Sequence, residues 1–199
     1  MRGGRIAAFL DRDGTVNEEV DHLRAPDQLR LIPGAGQAIR SLNDHDILTC
    51  IISNQAGVAR GLLTEEDLVP IHEKLRRELR SSNARIDRIY YCPHHPDEGN
   101  PPYNITCECR KPAIGMLRRG QEELGIDLER SFVVGDRIVD VKVGKAVGAT
   151  TILVLTGYGR TTLGECRAAG VQPDLTAPSI VEAVDFILQR IQRTHDATS

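Results

Sequence analysis

Short apolar runs alternate along the chain with segments of helical periodicity. Several of the apolar runs are continuous, as strands buried on both faces should be. They predict strands at residues 5–10 (RIAAFL), 47–53 (ILTCIIS), 88–92 (RIYYC), 131–135 (SFVVG) and 150–155 (TTILVL). The segments between and after them predict helices at 35–44, 65–82, 113–124, 140–147 and 179–193. This order predicts a doubly wound α/β fold, in which helices cover both faces of a parallel sheet.

Two features interrupt this pattern. Thr64 followed by two glutamates favours a helix start, but Pro70 in the second turn is expected to bend that helix or delay its start. Residues 93–112 (PHHPDEGNPPYNITCECRKP) contain too many prolines and turn-forming residues for regular structure. Because irregular loops of this length are uncommon inside compact domains, we expect this loop to be functional.

Length and composition predict one compact domain over residues 1–199. The hydrophobic fraction of 40% and the charged fraction of 27% are ordinary for a globular protein. A net charge of −3 argues against nucleic acid as a partner.

Since charge interrupts the N-terminal apolar run early and no run is long enough to cross a bilayer, we expect a cytoplasmic protein without a membrane partner. The sequence shows no apolar stripe for self-association, which favours a monomer.

Polar clusters follow three of the predicted strands. The carboxyl ends of parallel strands meet at one edge of the sheet, where open α/β proteins have their active crevice. We therefore expect these clusters to converge there. They are Asp11 and Asp13 after the first strand, Ser53, Asn54 and Gln55 after the second, and Asp136 with Asp140 after the fourth.

Converging carboxylates of this kind are typical of a Mg²⁺ site, because hard oxygen ligands suit that ion. A carboxylate beside such a cation can attack phosphorus, and a second carboxylate can transfer the protons. Lys111 would balance charge on the phosphoryl oxygens, and the Ser53 hydroxyl would complete the phosphate cradle.

Taken alone, Asp-x-Asp is more often a turn or a helix cap. The non-enzyme alternative is a phospho-accepting receiver domain, but receivers carry an adjacent acid pair and a phospho-accepting aspartate after a later strand.

Four motifs together resemble those of the haloacid dehalogenase-like (HAD) phosphohydrolases. They are DRDGT (11–15), SNQ (53–55), RKP around Lys111, and GDRIVD (135–140). The resemblance implies a Rossmann-like, HAD-type fold with Asp11 as nucleophile and Asp13 as general acid and base. It also implies a catalytic Mg²⁺ held by Asp11, the Asp13 backbone carbonyl and Asp136, with Asp140 in support.

The long loop carries a second candidate metal site. Three thiolates and one imidazole form a tetrahedral Zn²⁺ set without an open position, which predicts a structural zinc. The alternative is free cysteines beside solvated histidines. His94 is preferred to His95 because the resembling proteins have Cys-x-His at this point. The predicted ligands are Cys92, His94, Cys107 and Cys109, and the resulting zinc-stapled loop (92–109) would hold Arg110 and Lys111 at the crevice.

The chain leaves no room for a large cap domain, so loops must cover the substrate. SNQAGVARG (53–61) and the zinc loop are similar to those of the histidinol-phosphatase-like group of HAD phosphatases. This resemblance implies removal of the C7 phosphate from D-glycero-D-manno-heptose 1,7-bisphosphate, with histidinol phosphate as the alternative substrate. A bisphosphate needs a second cationic pocket. The expected substrate-binding residues are Asn54, Gln55, Arg60, Arg110 and Arg137.

Overall fold

A computed structural model of the protein describes residues 4–196. Residues 1–3 and 197–199, which complete the predicted domain, lie outside the described residues. The strands of the described part are β1 Ala7–Leu10, β2 Leu48–Asn54, β3 Arg88–Cys92, β4 Phe132–Gly135, β5 Thr150–Val154 and β6 Leu175–Ala177. Its α-helices are α1 Ala35–Asp44, α2 Ala56–Ala59, α3 Glu65–Arg80, α4 Gly115–Leu124, α5 Ile138–Ala146, α6 Gly159–Ala168 and α7 Ile180–Asp196.

The strands form one parallel sheet in the order β3-β2-β1-β4-β5-β6. The chain therefore builds outward from β1 to β3 and then returns to the other side of β1 with β4. Leu10 pairs with both Ile51 and Val134, so the residues that follow these strands lie at one level. This reversal of strand order creates a crevice at the carboxyl ends of β1, β2 and β4. The predicted doubly wound fold is confirmed.

Strand β1 is buried on both faces. Ala8 and Leu10 belong to the core cluster formed with α1, α3 and α7. Ala7 and Phe9 belong to the cluster on the other face, where α4 packs. This two-sided burial explains why the strand is a continuous apolar run instead of an alternating one.

Among the strands and α-helices of the described part, three were not predicted, and each has little apolar signal. The helix α2 and the strand β6 are short, and β6 lies at the sheet edge with Leu175 only half-buried. The buried positions of α6 are Gly159, Thr162 and Cys166, which repeat at helical spacing but are small or polar. A search for apolar periodicity therefore misses them.

Helix α3 begins at Glu65, so Pro70 does not delay its start. The Asp67 N–H donates to the Thr64 hydroxyl at 3.2 Å, and the Asp67 carboxylate accepts the Thr64 N–H at 2.8 Å. This reciprocal cap stabilises the first turn. Two other predicted helix starts differ from the structure by two residues: α4 begins at Gly115 and not at Ala113, and α5 begins at Ile138 and not at Asp140.

The connection from Cys92 to Gly115 contains neither helix nor strand, as predicted for the cysteine-rich loop. Across residues 4–196, no connection is large enough to form a separate cap domain. In the same range, no helix combines the length and the apolar character needed to cross a membrane.

Candidate active site

A cavity of about 640 Å³ lies at the carboxyl ends of β1 and β2. Lys111 and Asp11 line it together, although they are 100 residues apart in the chain. All but one of the predicted catalytic, substrate-binding and Mg²⁺-site residues contribute to its wall, namely Asp11, Asp13, Ser53, Asn54, Gln55, Arg60, Arg110, Lys111 and Arg137. The exception, Asp136, lies in a carboxylate cluster with Asp11.

Asp11, Asp136 and Asp140 form this buried cluster, with one carboxylate oxygen of each within 4.8 Å of the others. Asp136 Oδ2 accepts the Tyr158 N–H at 2.7 Å, but Asp136 Oδ1 is buried without a hydrogen-bond partner among the described residues. Burial raises the pKa of Asp136 to about 7, and it also raises the pKa of Asp11 well above its usual range. An unpaired carboxylate oxygen among like charges is costly to bury, so the arrangement fits a divalent cation.

Two glycines pack against the Asp136 carboxylate. Gly14 has a φ of +77° and Gly157 a φ of +53°, and a Cβ at either position would come within 2.3 or 2.2 Å of Asp136 Oδ2. Any other residue would therefore displace the carboxylate as well as strain the backbone. Gly14 belongs to the DRDGT motif, whereas Gly157 had no sequence signal that singled it out.

Lys111 is 3% exposed and connects two of the acids. Its Nζ donates to Asp11 Oδ1 at 2.7 Å, to Asp140 Oδ1 at 2.6 Å and to the Ile52 carbonyl at 2.8 Å. Burial alone would lower the pKa of Lys111, but the two carboxylates outweigh it and raise the pKa above its usual value. The ammonium group is therefore charged and in contact with Asp11.

The side chains of Asn54 and Gln55 are used differently from the substrate contacts expected of them. Asn54 Nδ2 donates to the Lys111 carbonyl at 3.0 Å, and Asn54 Oδ1 accepts the Lys111 N–H at 2.9 Å. Gln55 Nε2 donates to Ser53 Oγ at 2.7 Å and to Asp13 Oδ2 at 3.1 Å. Both amides therefore orient other residues of the site, because their polar atoms already have partners in the protein.

Asp13 has a different environment from Asp11. Its carboxylate accepts bonds from Arg12, from Asn17 Nδ2 at 2.9 Å and from Gln55. Burial by itself would raise the pKa of Asp13, but the charge of Arg12 and these hydrogen bonds together lower it below its usual value. The pKa values of the two aspartates of the motif are thus shifted in opposite directions, upward for Asp11 and downward for Asp13.

The three predicted arginines differ in which groups of the protein their guanidinium already contacts. Arg110 Nη1 donates to the His94 carbonyl at 2.9 Å, which fixes one edge of its guanidinium at the cavity. The guanidinium carbon of Arg137 lies 3.5 Å from the centre of the Tyr158 ring. Arg60 Nε donates to Glu98 Oε2 at 2.6 Å, so a carboxylate already balances its charge. Arg110 and Arg137 are therefore better placed than Arg60 to meet an anion.

The four predicted zinc ligands lie together. The sulfur atoms of Cys92, Cys107 and Cys109 are 3.1 to 3.4 Å apart, and His94 Nδ1 lies 3.5 Å from Cys109 Sγ. A tetrahedron with metal–sulfur bonds of about 2.3 Å has sulfur–sulfur edges of about 3.8 Å. The cluster is slightly tighter than that but has the right shape and donor set. His95 instead accepts the Asp97 N–H through Nδ1, at 3.3 Å.

Residues outside the predicted set also shape the site. Arg12, between the two aspartates of the motif, is fully buried, and Asn17 holds the Asp13 carboxylate. Glu19 lies half-buried in the cavity wall, and burial together with the charge of Asp13 raises its pKa. Arg12 could have been singled out, since an arginine directly after a buried strand must find partners for its charge.

The chain is similar to proteins of known activity over most of its length. Residues 108–183 match the family model described as HAD-hydrolase-like. The D-glycero-β-D-manno-heptose-1,7-bisphosphate 7-phosphatase of Yersinia pestis is 40% identical over 179 residues, which cover 89% of this chain and 95% of that protein. The enzyme of the same name from Haemophilus ducreyi is 37% identical, over 92% of this chain and 99% of that protein.

A solved structure gives the same result. The crystal structure of the D,D-heptose 1,7-bisphosphate phosphatase from B. bronchiseptica, complexed with magnesium and phosphate, superposes with a TM-score of 0.82. The two sequences are 34% identical, and the match covers 93% of this chain and 99% of that chain. The protein therefore belongs to the family of D-glycero-D-manno-heptose-1,7-bisphosphate 7-phosphatases, which are HAD-like phosphatases.

Proposed function

We propose that the protein hydrolyses the C7 phosphate of D-glycero-D-manno-heptose 1,7-bisphosphate. The observation that carries this proposal is the contact of Asp11 with Lys111 beside Asp136, at the sheet edge where the HAD motifs converge. The choice of substrate comes from the names of the relatives that are 37 to 40% identical to this chain. The relatives named above give no support to the alternative substrate, histidinol phosphate.

Asp11 is the nucleophile in this proposal. Lys111 holds Asp11 Oδ1, which leaves Oδ2 to attack phosphorus. A bond from Asp11 to phosphorus forms as the bond from phosphorus to the sugar oxygen breaks, and the protonated form of Asp13 gives its proton to that oxygen. Because Arg12 and the hydrogen bonds lower the pKa of Asp13, the carboxylate must first take up this proton from solvent. Water then attacks the aspartyl-phosphate, its proton passes to Asp13, and the Asp11 carboxylate is restored. The Ser53 hydroxyl binds a phosphoryl oxygen during both steps. Lys111, whose three N–H groups are bonded to Asp11, Asp140 and the Ile52 carbonyl, acts through its positive charge beside the phosphoryl group.

Asp11, Asp136 and the Asp13 backbone carbonyl would hold a Mg²⁺ ion. The unpartnered Asp136 Oδ1 and the raised pKa of Asp11 support this assignment. When bound, the ion supplies positive charge that offsets the repulsion between the Asp11 carboxylate and the substrate phosphate. Asp140 does not need to bind the ion, because its Oδ1 accepts the Lys111 ammonium and its Oδ2 accepts the Arg137 N–H at 3.0 Å.

Cys92, His94, Cys107 and Cys109 would hold a structural Zn²⁺. All four positions of the tetrahedron are filled by the protein, so water has no access to the ion and the site has no catalytic use. Arg110 and Lys111 follow Cys109 directly, and Arg110 also binds the carbonyl of His94. The zinc site would thus fix both cationic residues relative to the cavity.

The experiment that tests the proposed function compares substrates. We expect kcat/KM with Mg²⁺ for one anomer of the heptose 1,7-bisphosphate to exceed that for fructose 1,6-bisphosphate and histidinol phosphate by at least about 100-fold, or about 2.7 kcal/mol of transition-state binding. The measurement is initial-rate phosphate release for both anomers and both comparison substrates. A preference for histidinol phosphate would mean that the same catalytic residues act on the alternative substrate.

Replacing Arg110 should raise KM for a bisphosphate much more than KM for a monophosphate. We expect Arg110→Ala to raise KM for the heptose 1,7-bisphosphate about 10- to 100-fold, because charge-assisted hydrogen bonds contribute roughly 1.5–3 kcal/mol. KM for a heptose 7-phosphate should change by less than about 3-fold, since the second phosphate is missing. Arg60→Ala serves as the matched control, because Glu98 already pairs Arg60. Equal effects of Arg110→Ala on both substrates would rule out a second-phosphate pocket at Arg110.

The remaining predictions come from the sequence. They are a single domain over residues 1–199, a monomeric state, a cytoplasmic location and the lack of a nucleic-acid or membrane partner. Analytical ultracentrifugation of the full chain tests the monomer.

A further inference from the structure

Arg12 is the largest side chain among those described residues that are fully buried, with an exposure of 0%. Its position between Asp11 and Asp13 puts a charged group in a place where water cannot solvate it. Burying a guanidinium is costly unless all its donors find partners, so its contacts show what the local structure is organised around.

The Arg12 guanidinium is directed at Asp13. Its Nη2 donates to Asp13 Oδ2 at 2.8 Å, and its Nε lies 3.1 Å from Asp13 Oδ1. Nη2 also donates to Gln55 Oε1 at 3.1 Å, and Gln55 in turn donates to Asp13 Oδ2. Because a fork of donors meets both carboxylate oxygens, the plane of the Asp13 carboxylate is fixed as well as its position.

The rest of the guanidinium is held from α3. Arg12 Nη1 lies 3.4 Å from His72 Nε2. A guanidinium has donors only, so this contact requires an unprotonated Nε2. Burial lowers the pKa of His72 to about 4, which keeps the ring neutral near neutral pH. The backbone is held too, because the Arg12 carbonyl accepts the N–H groups of Val16 and Asn17 at 2.9 and 3.0 Å.

We propose that Arg12 is a positioning residue for the proton transfers of Asp13: its buried guanidinium, braced by Gln55 and His72, holds the Asp13 carboxylate facing the cavity. This inference rests on the proposed function, which makes Asp13 the general acid and base. The Asp13 side chain is 21% exposed and lines the cavity, so it is held on one side and open to substrate on the other. Proton transfer depends on such orientation, because a displacement of about 1 Å can cost on the order of 100-fold in rate.

Two substrates with different leaving groups distinguish a positioning role of Arg12 from a purely structural one. A sugar alkoxide needs a proton to leave, whereas p-nitrophenolate does not, so only the sugar phosphate needs a well-oriented Asp13 in the first step. We expect Arg12→Met to lower kcat/KM for the heptose 1,7-bisphosphate by about 100-fold and that for p-nitrophenyl phosphate by less than about 3-fold. Hydrolysis of the aspartyl-phosphate also needs Asp13, so p-nitrophenol should appear in a burst equal to the enzyme concentration.

Three further variants complete the experiment. Arg12→Lys keeps the positive charge but loses the paired hydrogen bonds to Asp13. Its kcat/KM should also fall more for the heptose 1,7-bisphosphate than for p-nitrophenyl phosphate, but by a smaller factor than in Arg12→Met. If Arg12→Met does not fold, Arg12→Lys takes its place in the test. Asp13→Asn should reproduce the pattern of Arg12→Met. Arg76→Met removes an arginine of α3 itself, whose Nη1 donates to the Ile86 carbonyl at 2.6 Å, and it should leave kcat/KM for both substrates unchanged.

A fall of kcat/KM by the same factor on both substrates in Arg12→Met and Arg12→Lys would overturn the inference. Failure of the proposed function gives a different result, because the wild-type protein would then not turn over the heptose 1,7-bisphosphate. Any alkyl phosphate that it does hydrolyse then takes the place of the sugar, and the ratio to p-nitrophenyl phosphate still decides the role of Arg12.

Discussion

Asp11→Asn is expected to lower kcat for the heptose 1,7-bisphosphate by at least about 10⁴-fold, because an amide cannot form the covalent intermediate on which both steps depend. The protein should fold as well as the wild type. Burial raises the pKa of Asp11, so the ionised carboxyl destabilises the fold at neutral pH, and the amide removes that cost. Lys111 keeps its bonds to Asp140 and to the Ile52 carbonyl. We expect the free energy of unfolding without added Mg²⁺ to be unchanged or up to about 1 kcal/mol higher.

The measurements are steady-state phosphate release and urea unfolding. Asp174→Asn is the matched control, because the Asp174 carboxylate accepts the Thr151 N–H at 2.8 Å and joins β6 to the sheet far from the cavity. It should show the opposite pattern, with lower stability and unchanged kcat. Substantial turnover by a purified Asp11→Asn protein would disprove the nucleophile assignment.

Cys107→Ser is expected to lose the bound zinc and to lower the free energy of unfolding by about 3 kcal/mol or more, since metal binding to such a cluster contributes directly to folding. Cys107 Sγ lies between Cys92 and Cys109, at 3.4 and 3.3 Å. Tyr103 packs against the core, but Ile105 is 46% exposed, so the loop buries little apolar surface of its own. The measurements are zinc per chain by plasma mass spectrometry and urea unfolding.

Two histidine variants provide the control for the zinc site and decide between the two sequence candidates. His94→Gln should lose zinc, because His94 Nδ1 lies 3.5 Å from Cys109 Sγ. His95→Gln should retain it, because His95 Nδ1 binds the Asp97 N–H instead. Unchanged zinc content in Cys107→Ser, or a protein that contains no zinc at all, would contradict the assignment.

The architecture could be predicted largely from local pattern. Strands buried on both faces are continuous apolar runs, so residues 5–10 and 131–135 are recognisable, and β1 and β4 lie within them. Elements with small or polar buried residues were missed, as α6 shows with Gly159 and Cys166. Their periodicity is present but has no contrast in hydrophobicity.

The sequence by itself determined the fold class, the sheet edge at which Asp11 and Asp136 lie, and the three cysteines of the metal cluster, whereas the choice of His94 over His95 came from the family resemblance. It could do so because strand ends and ligand spacings are local properties of the chain. Only the tertiary structure decided which atoms meet: Asn54 holds the Lys111 backbone, and Gly157 packs against Asp136. Side-chain direction and contacts between distant segments depend on packing in three dimensions, and residue type and spacing do not specify them.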